Sequence, residues 1–204
     1  MSKQTQYLLI KLLIMRTFDF FKTFLFVVCL IFITACSDDD NKETPSAEEQ
    51  ILFGDGKQLG NGDQEFKIYK DHTIKKGTYV MKGWIYVQDG ATLTIEPGTV
   101  IKGDKETKAS LIIERGAKLI AKGTASQPIV FTSNQAAGSR KPGDWGGIII
   151  LGKAKNNKTE MQIEGGVGSS HGGSNDDDNS GVLSYVRCEF PGFPFVEDQE
   201  INGI

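Results

Sequence analysis

The stretch Gly90 to Gly123, GATLTIEPGTVIKGDKETKASLIIERGAKLIAKG, repeats itself. Leu93-Thr94-Ile95-Glu96-Pro97-Gly98 returns as Leu111-Ile112-Ile113-Glu114-Arg115-Gly116, an offset of 18 residues. Val100-Ile101-Lys102-Gly103 returns as Leu119-Ile120-Ala121-Lys122-Gly123, where the offset has drifted to 20 at the glycine. Ile148-Ile149-Ile150-Leu151-Gly152 is a third, weaker copy. A period of about 20 residues marks a solenoid. Within a unit, Leu93 and Ile95 alternate with Thr94 and Glu96, so one side of a strand turns inward and the other meets water. Pro97-Gly98 and Arg115-Gly116 turn the chain, with glycine taking backbone angles that other residues resist. The expected fold is all-β, a right-handed parallel β-helix. Its coils would stack about 4.8 Å apart, with Leu93 over Leu111 and Ile95 over Ile113 as ladders. A β-sandwich is the alternative, but its Asn-Gly hairpin signals do not stand between the repeats.

The same texture extends outward from this stretch. From Glu65 onward, short runs rich in Thr, Val and Ile alternate with Gly, Pro, Asn and Asp, which favours strands. Ile51 to Asp63 is Gly-rich and reads as loop. Ser37 to Gln50, SDDDNKETPSAEEQ, is nearly devoid of apolar residues and reads as a solvated, disordered tether. All 24 glycines lie after Cys36.

Before the tether, Phe24 to Ala35 is an apolar run of about a dozen residues. That is short of the roughly 20 needed for a membrane span and suits a signal-peptide core. Arg16 and Lys22 flank it, and Met15 is an alternative start. A longer membrane anchor reaching back through Tyr7-Leu8-Leu9-Ile10 is interrupted by Lys11, Arg16, Asp19 and Lys22. Ile33-Thr34-Ala35-Cys36 resembles the lipobox of bacterial lipoproteins. The resemblance implies that Cys36 carries lipid, palmitate included, and that the residues before it are removed. The acidic Ser37-Asp38-Asp39-Asp40 resembles the export signal of some Gram-negative lipoproteins, which implies a place on the outer membrane facing the exterior; an ordinary charged linker is the alternative. The expected organisation is a signal peptide over 1–35, lipidated cysteine, tether and loop over 36–64, and a β-helix over 65–204. Glu200 to Ile204 reads as the opening of another coil, so the β-helix is expected to be incomplete or a fragment.

From Cys36 onward the chain keeps 19 of 23 basic and 25 of 26 acidic residues, a net charge of −6. That balance argues against nucleic acid, which favours a basic stripe, and against docking on anionic lipid head groups. The membrane partner is instead reached through the lipid on Cys36. Cys29 leaves with the signal and Cys36 is consumed, so Cys188 has no partner for an intrachain disulfide.

Gly90 to Gly123, with Pro128-Ile129-Val130-Phe131-Thr132-Ser133, Gly143-Asp144-Trp145-Gly146-Gly147-Ile148 and Gly181 to Phe190, resembles a family of secreted or surface bacterial proteins. These are built on the right-handed β-helix of the pectin-lyase-like class. The resemblance covers Phe66 to the C-terminus. It implies the fold, and carries no catalytic residue onto this chain.

Several side chains are candidates for chemistry. Asp176, Asp177 and Asp178 lie in the polar loop Gly165 to Gly181 and offer oxygens for calcium, which takes six to eight. The alternative is a long loop bulging from one coil. A polysaccharide lyase would set such a site beside a basic residue, and Arg115, Arg140, Lys141 and Arg187 are the candidates. Nothing in the sequence places them near the aspartates. Trp84 and Trp145 are candidates for stacking on sugar rings, Trp145 because small neighbours flank it. Burial is the alternative for both. His72 and His171 stand alone and read as surface residues. Cys188 alternates inward as a small apolar residue. The expected function is binding or scaffolding at the cell surface, with glycan or another envelope component as partner. The alternatives are a polysaccharide lyase or hydrolase whose catalytic coils lie beyond this chain, and a purely structural envelope or adhesion protein.

Overall fold

The computed structural model describes residues 50–158, 161–163, 167–196 and 199–204. Residues 1–49, where the signal peptide, lipidated Cys36 and tether are expected, lie outside the described residues. No α-helix occurs among the described residues, and no helix among them is long and apolar enough to cross a membrane.

The chain enters through an antiparallel hairpin of β1 (Leu52–Phe53) and β2 (Gln58–Leu59). The first coil is β3 (Phe66–Ile68), β4 (His72–Ile74) and β5 (Thr78–Met81). The second is β6 (Trp84–Val87), β7 (Thr92–Ile95) and β8 (Val100–Gly103). The third is β9 (Ser110–Ile113), β10 (Lys118–Lys122) and β11 (Ile129–Ser133). The fourth begins with β12 (Ile148–Ile150) and makes an excursion containing the hairpin β13 (Met161–Gln162) and β14 (Ser170–His171). It resumes with β15 (Gly181–Ser184) and β16 (Val186–Cys188), and the hairpin β17 (Pro194–Val196) and β18 (Gln199–Glu200) follows. Like strands stack in parallel. The first sheet is β3-β6-β9-β12, the second β4-β7-β10-β15, and the third runs from β2 through β5, β8 and β11 to β16. This is a parallel β-helix with three strands to the coil.

The stacking register differs from the expected ladders. Leu93 lies between His72 and Leu119, and Ile95 between Ile74 and Ala121. Leu111 lies between Ile85 and Ile148, and Ile113 between Val87 and Ile150. The 18-residue echo therefore relates β7 to β9, which belong to different sheets. It records a strand followed by a glycine turn, a unit that recurs at more than one corner. The true period is a whole circuit. It is 21 residues from His72 to Leu93, 26 from Leu93 to Leu119 and 62 from Leu119 to Gly181. The third copy does stack, since Ile148 pairs with Leu111.

Inside the coil, Leu93, Ile95, Ile101, Leu111, Ile113, Leu119, Phe131 and Ile148 form a buried core. On the second sheet the outward positions Thr92, Thr94 and Ile120 are half-buried and Lys118 is exposed, the pattern the alternation predicts. The first sheet breaks that pattern. Every residue of β6 and β9 is buried. Trp84, Tyr86, Ile112 and Ile149 pack on its outer side with Leu151, Val167 and Ile201 as a second apolar cluster. Such a sheet is covered on both faces, and its strands read as continuous apolar runs. The Tyr86 hydroxyl donates to the carbonyl of Val167 at 3.0 Å, fastening the excursion onto the sheet. Burial, with Glu114 and Glu65 nearby, pushes that phenol up to about 12.

The corner from third to first sheet holds Gly143 to Gly147. Trp145 is fully buried, stacks on Phe131 with ring centroids 6.2 Å apart, and donates from Nε1 to the Glu189 carbonyl at 2.8 Å. Asp144 is also buried. It accepts from Ser133 Oγ at 2.7 Å and the Lys141 amide at 3.0 Å, and lies 3.5 Å from Lys105 Nζ. Desolvation alone would raise its pKa, but these donors and the lysine hold it below the usual carboxylate value. The last segment runs beside this corner. Gly143 N donates to Pro191 O at 2.9 Å, Gly192 N to Gly146 O at 2.7 Å, and Ile148 N to Gly203 O at 3.1 Å.

Candidate functional site

The turns between the first and second sheets stack into a column. They are Tyr69-Lys70-Asp71 after β3, Gln88-Asp89-Gly90 after β6, Glu114-Arg115-Gly116 after β9, and Leu151-Gly152-Lys153 after β12. Backbone bonds lock the column. Gln88 N donates to Ile68 O, Glu114 N to Val87 O, and Leu151 N to Ile113 O, each at 2.9 Å. Gly90 and Gly116 repeat one left-handed conformation, at φ 85° and 87°. At Gly116 it is the left-handed backbone that requires glycine; a Cβ there would only displace the side-chain ends of Asp89 and Lys153. Those two groups form an ion pair across the column, with Lys153 Nζ 3.0 and 3.1 Å from the two Asp89 oxygens.

The excursion folds back over this corner. Gly172 N donates to Gly152 O at 2.8 Å and Asn175 N to Lys153 O at 3.0 Å. Arg115 Nη1 donates to the Gly172 carbonyl at 3.0 Å, and Ser169 Oγ to Glu114 Oε1. Together they border an open cleft of about 450 Å³ lined by Gln88, Asp89, Glu114, Arg115, Lys153 and Gly172 through Asn175. Two carboxylates, two cations, two side-chain amides and a hydroxyl line it. That volume lies within the range of small-molecule sites, and the polar wall suits a ligand with many hydroxyl groups.

The sequence-derived candidates fare unevenly. Trp84 and Trp145 are 5% and 0% exposed, so neither offers a ring face to a sugar, and the stacking expectation is corrected for both. Their size places them where burial contributes most, Trp84 in the outer cluster and Trp145 in the corner. Among the described residues, the large aromatics that do face solvent are Tyr69, 56% exposed, and Tyr185, 60% exposed. Tyr69 follows Ile68, which pairs with Val87, so it sits one coil below Gln88 in the cleft's own column.

Asp176, Asp177 and Asp178 do not converge. Asp178 accepts from the Lys153 amide at 2.9 Å and Ser180 Oγ at 3.2 Å. Asp176 accepts from the Lys155 amide and pairs with Lys155 Nζ at 3.3 Å, while Asp177 is exposed. Among the described residues no three His, Cys, Asp or Glu side chains form a group able to hold a metal ion. The aspartates instead shape the loop that roofs the cleft.

Arg115 does come beside that loop, which the sequence did not place. Arg187 pairs with Glu189 at 2.8 Å on the third sheet, and Arg140 donates to Gln135 O, both away from the cleft's lining. His72 is not a surface residue. It stacks with Leu93 on the inner side of β4, half-buried, and its Nε2 has no hydrogen-bond partner. Burial lowers its pKa and Asp71 partly opposes this. His171 is half-buried in β14, with Nδ1 3.4 Å from the Asn156 amide. Cys188 faces inward and half-buried, its thiol pushed up to about 11 by burial and by Glu189.

The cleft itself escaped the sequence reading, because its walls come from turns 26 and more residues apart, Asp89 to Arg115 to Lys153. The available signal was local: Tyr69-Lys70-Asp71 puts an aromatic in a polar turn with no apolar run to receive it.

Neither a curated protein nor a solved structure matches the chain. A family model described as a pectate-lyase-like β-helix domain matches residues 66–204. The parallel coils, their stacked glycine turns and the motif Gly143 to Ile148 all fall inside that match, and the chain belongs to the family of pectate-lyase-like β-helix domains.

Proposed function

We propose that the protein binds glycan along the corner between its first and second sheets, as a lipid-anchored component of the outer surface. The observation that carries this reading is the cleft roofed by Gly172 to Asn175, with the exposed Tyr69 in the same column of turns. A solenoid repeats a corner at each coil, so a polymer lying along the axis meets equivalent positions at strand spacing. A cleft of hydrogen-bonding groups gives orientation, and an aromatic face gives contact area. The test is affinity electrophoresis of the full chain through gels containing soluble polysaccharides. Retardation by at least one polysaccharide, weakened by Tyr69→Ala, is expected. Free migration through all of them would favour a purely structural role.

A second reading, a lyase or hydrolase, is favoured by one observation: Asp89 and Glu114 line the same cleft as Arg115. Paired carboxylates serve glycosidases. Against it, Asp89 is held by Lys153 and Glu114 by Ser169. Appearance of new reducing ends or unsaturated sugars on incubation, lost in Glu114→Gln, would establish catalysis.

A further inference from the structure

The geometry points to an uncharged, hydroxyl-rich glycan as the ligand of the corner cleft, in preference to a polyuronate or other polyanion. This inference rests on the glycan reading above. The cleft holds as many carboxylates as cations, and its cations are already engaged. Lys153 lies within 3.1 Å of both Asp89 oxygens, and Arg115 Nη1 is committed to the Gly172 carbonyl. An arriving carboxylate would have to part Lys153 from Asp89, or lie against Asp89 and Glu114. Like charges at such range repel one another, and among its described residues the cleft has no free cation to offset them. The chain as a whole carries a net charge of −3, which adds to the repulsion of a polyanion.

A sugar hydroxyl meets no such difficulty. It donates one hydrogen bond and accepts two. It can therefore give to Asp89 or Glu114 while accepting from Lys153, and the existing pair need not break. Gln88 adds a side-chain amide that both donates and accepts, Asn175 an amide NH2 whose oxygen already accepts from the Asp177 amide at 3.2 Å, and Ser174 a hydroxyl. A mixed wall of charge-paired and neutral groups matches vicinal hydroxyls better than it matches a row of carboxylates. Tyr69, one coil away, supplies a flat face for the next ring along the axis.

The experiment measures binding of the full chain, in detergent, to neutral polysaccharides and to polyuronates by affinity electrophoresis, between about 0.02 and 0.5 M salt. Binding to a neutral polysaccharide that is nearly independent of salt is expected. Asn175→Ala and Gln88→Ala should each weaken it about tenfold, the effect of losing one good hydrogen bond. Tyr185→Ala, which removes an equally exposed tyrosine on another corner, should leave it unchanged. Circular dichroism shows whether each variant is folded. Binding restricted to polyuronates and fading with salt would overturn this inference while leaving the glycan reading standing. Binding to neither class would remove the glycan reading, and this inference with it.

Discussion

Gly103 has no room for a side chain. A Cβ there would lie 2.6 Å from both Cβ and Cγ of Trp145, whose ring is buried against Phe131. Overpacking of this kind costs about 1–3 kcal/mol. Gly103→Ala should lower the unfolding free energy by that much, read from the shift of the chemical denaturation midpoint at constant slope. His72 makes a second prediction. Its pKa is lowered by burial, so the folded state favours the neutral ring. Stability is then complete above the ordinary histidine value of about 6.5. It declines as pH falls from there toward the lower folded value, because only the unfolded chain takes up the proton. Asp71 is the charge that acts on the ring, and it opposes the shift. His72→Leu, filling an inward position beside Leu93, should remove this part of the acid sensitivity. Melting temperatures at pH 7.5 and about 5.5 test it. An equal loss of stability in both proteins would contradict the inward placement of the ring.

β9 shows what an element can do that a repeat unit does not announce. Ile113 faces the inner core and Ile112 the outer cluster, and both are fully buried. A charge at either position should cost on the order of 3–5 kcal/mol, through lost packing and an unpaired buried carboxylate. Thr94, on the outer side of β7, is half-buried, so a charge there can reach water. Ile112→Asp and Ile113→Asp should therefore both melt far below Thr94→Asp. They should also differ from each other. Ile112→Asp loosens the contact with Val167 and Leu151 first, so limited proteolysis should cut the excursion between β12 and β15 before the coils unfold. Cleavage of the two variants at the same sites and rates would deny a separate outer cluster.

At the scale of the whole molecule, the proposed lipid anchor and the β-helix can be tested apart, because each coil draws its covered core from neighbouring coils. If Cys36 carries several acyl chains, as the lipobox implies, the anchor is firm, where a single chain binds only marginally. Cys36→Ser in a bacterial host should move the protein out of the membrane fraction, followed by immunoblotting of fractionated cells. The melting of the β-helix should stay the same. An unchanged distribution would sink the lipoprotein reading.

Much of this architecture was written locally. The alternation of Leu93 and Ile95 with Thr94 and Glu96 specified a strand, and Pro97-Gly98 and Arg115-Gly116 specified its ends. Those are nearest-neighbour effects, set by side-chain direction and backbone angles within a few residues. The unbroken apolar runs Trp84 to Val87 and Ile148 to Leu151 also carried a trace of two-sided burial, though only the folded chain says what covers them. Which strand lies on which was not local. It depends on the path around a full circuit, and that path lengthens from 21 residues to 62 as turns grow into excursions. Two strands with the same motif, β7 and β9, thus ended on different sheets. The outer cluster, the burial of both tryptophans and the corner cleft arose in the same way. Each requires the excursion after β12 or the turn at Gly143 to fold back on residues far away in the chain, and a contact of that kind has no signature in the spacing of its members.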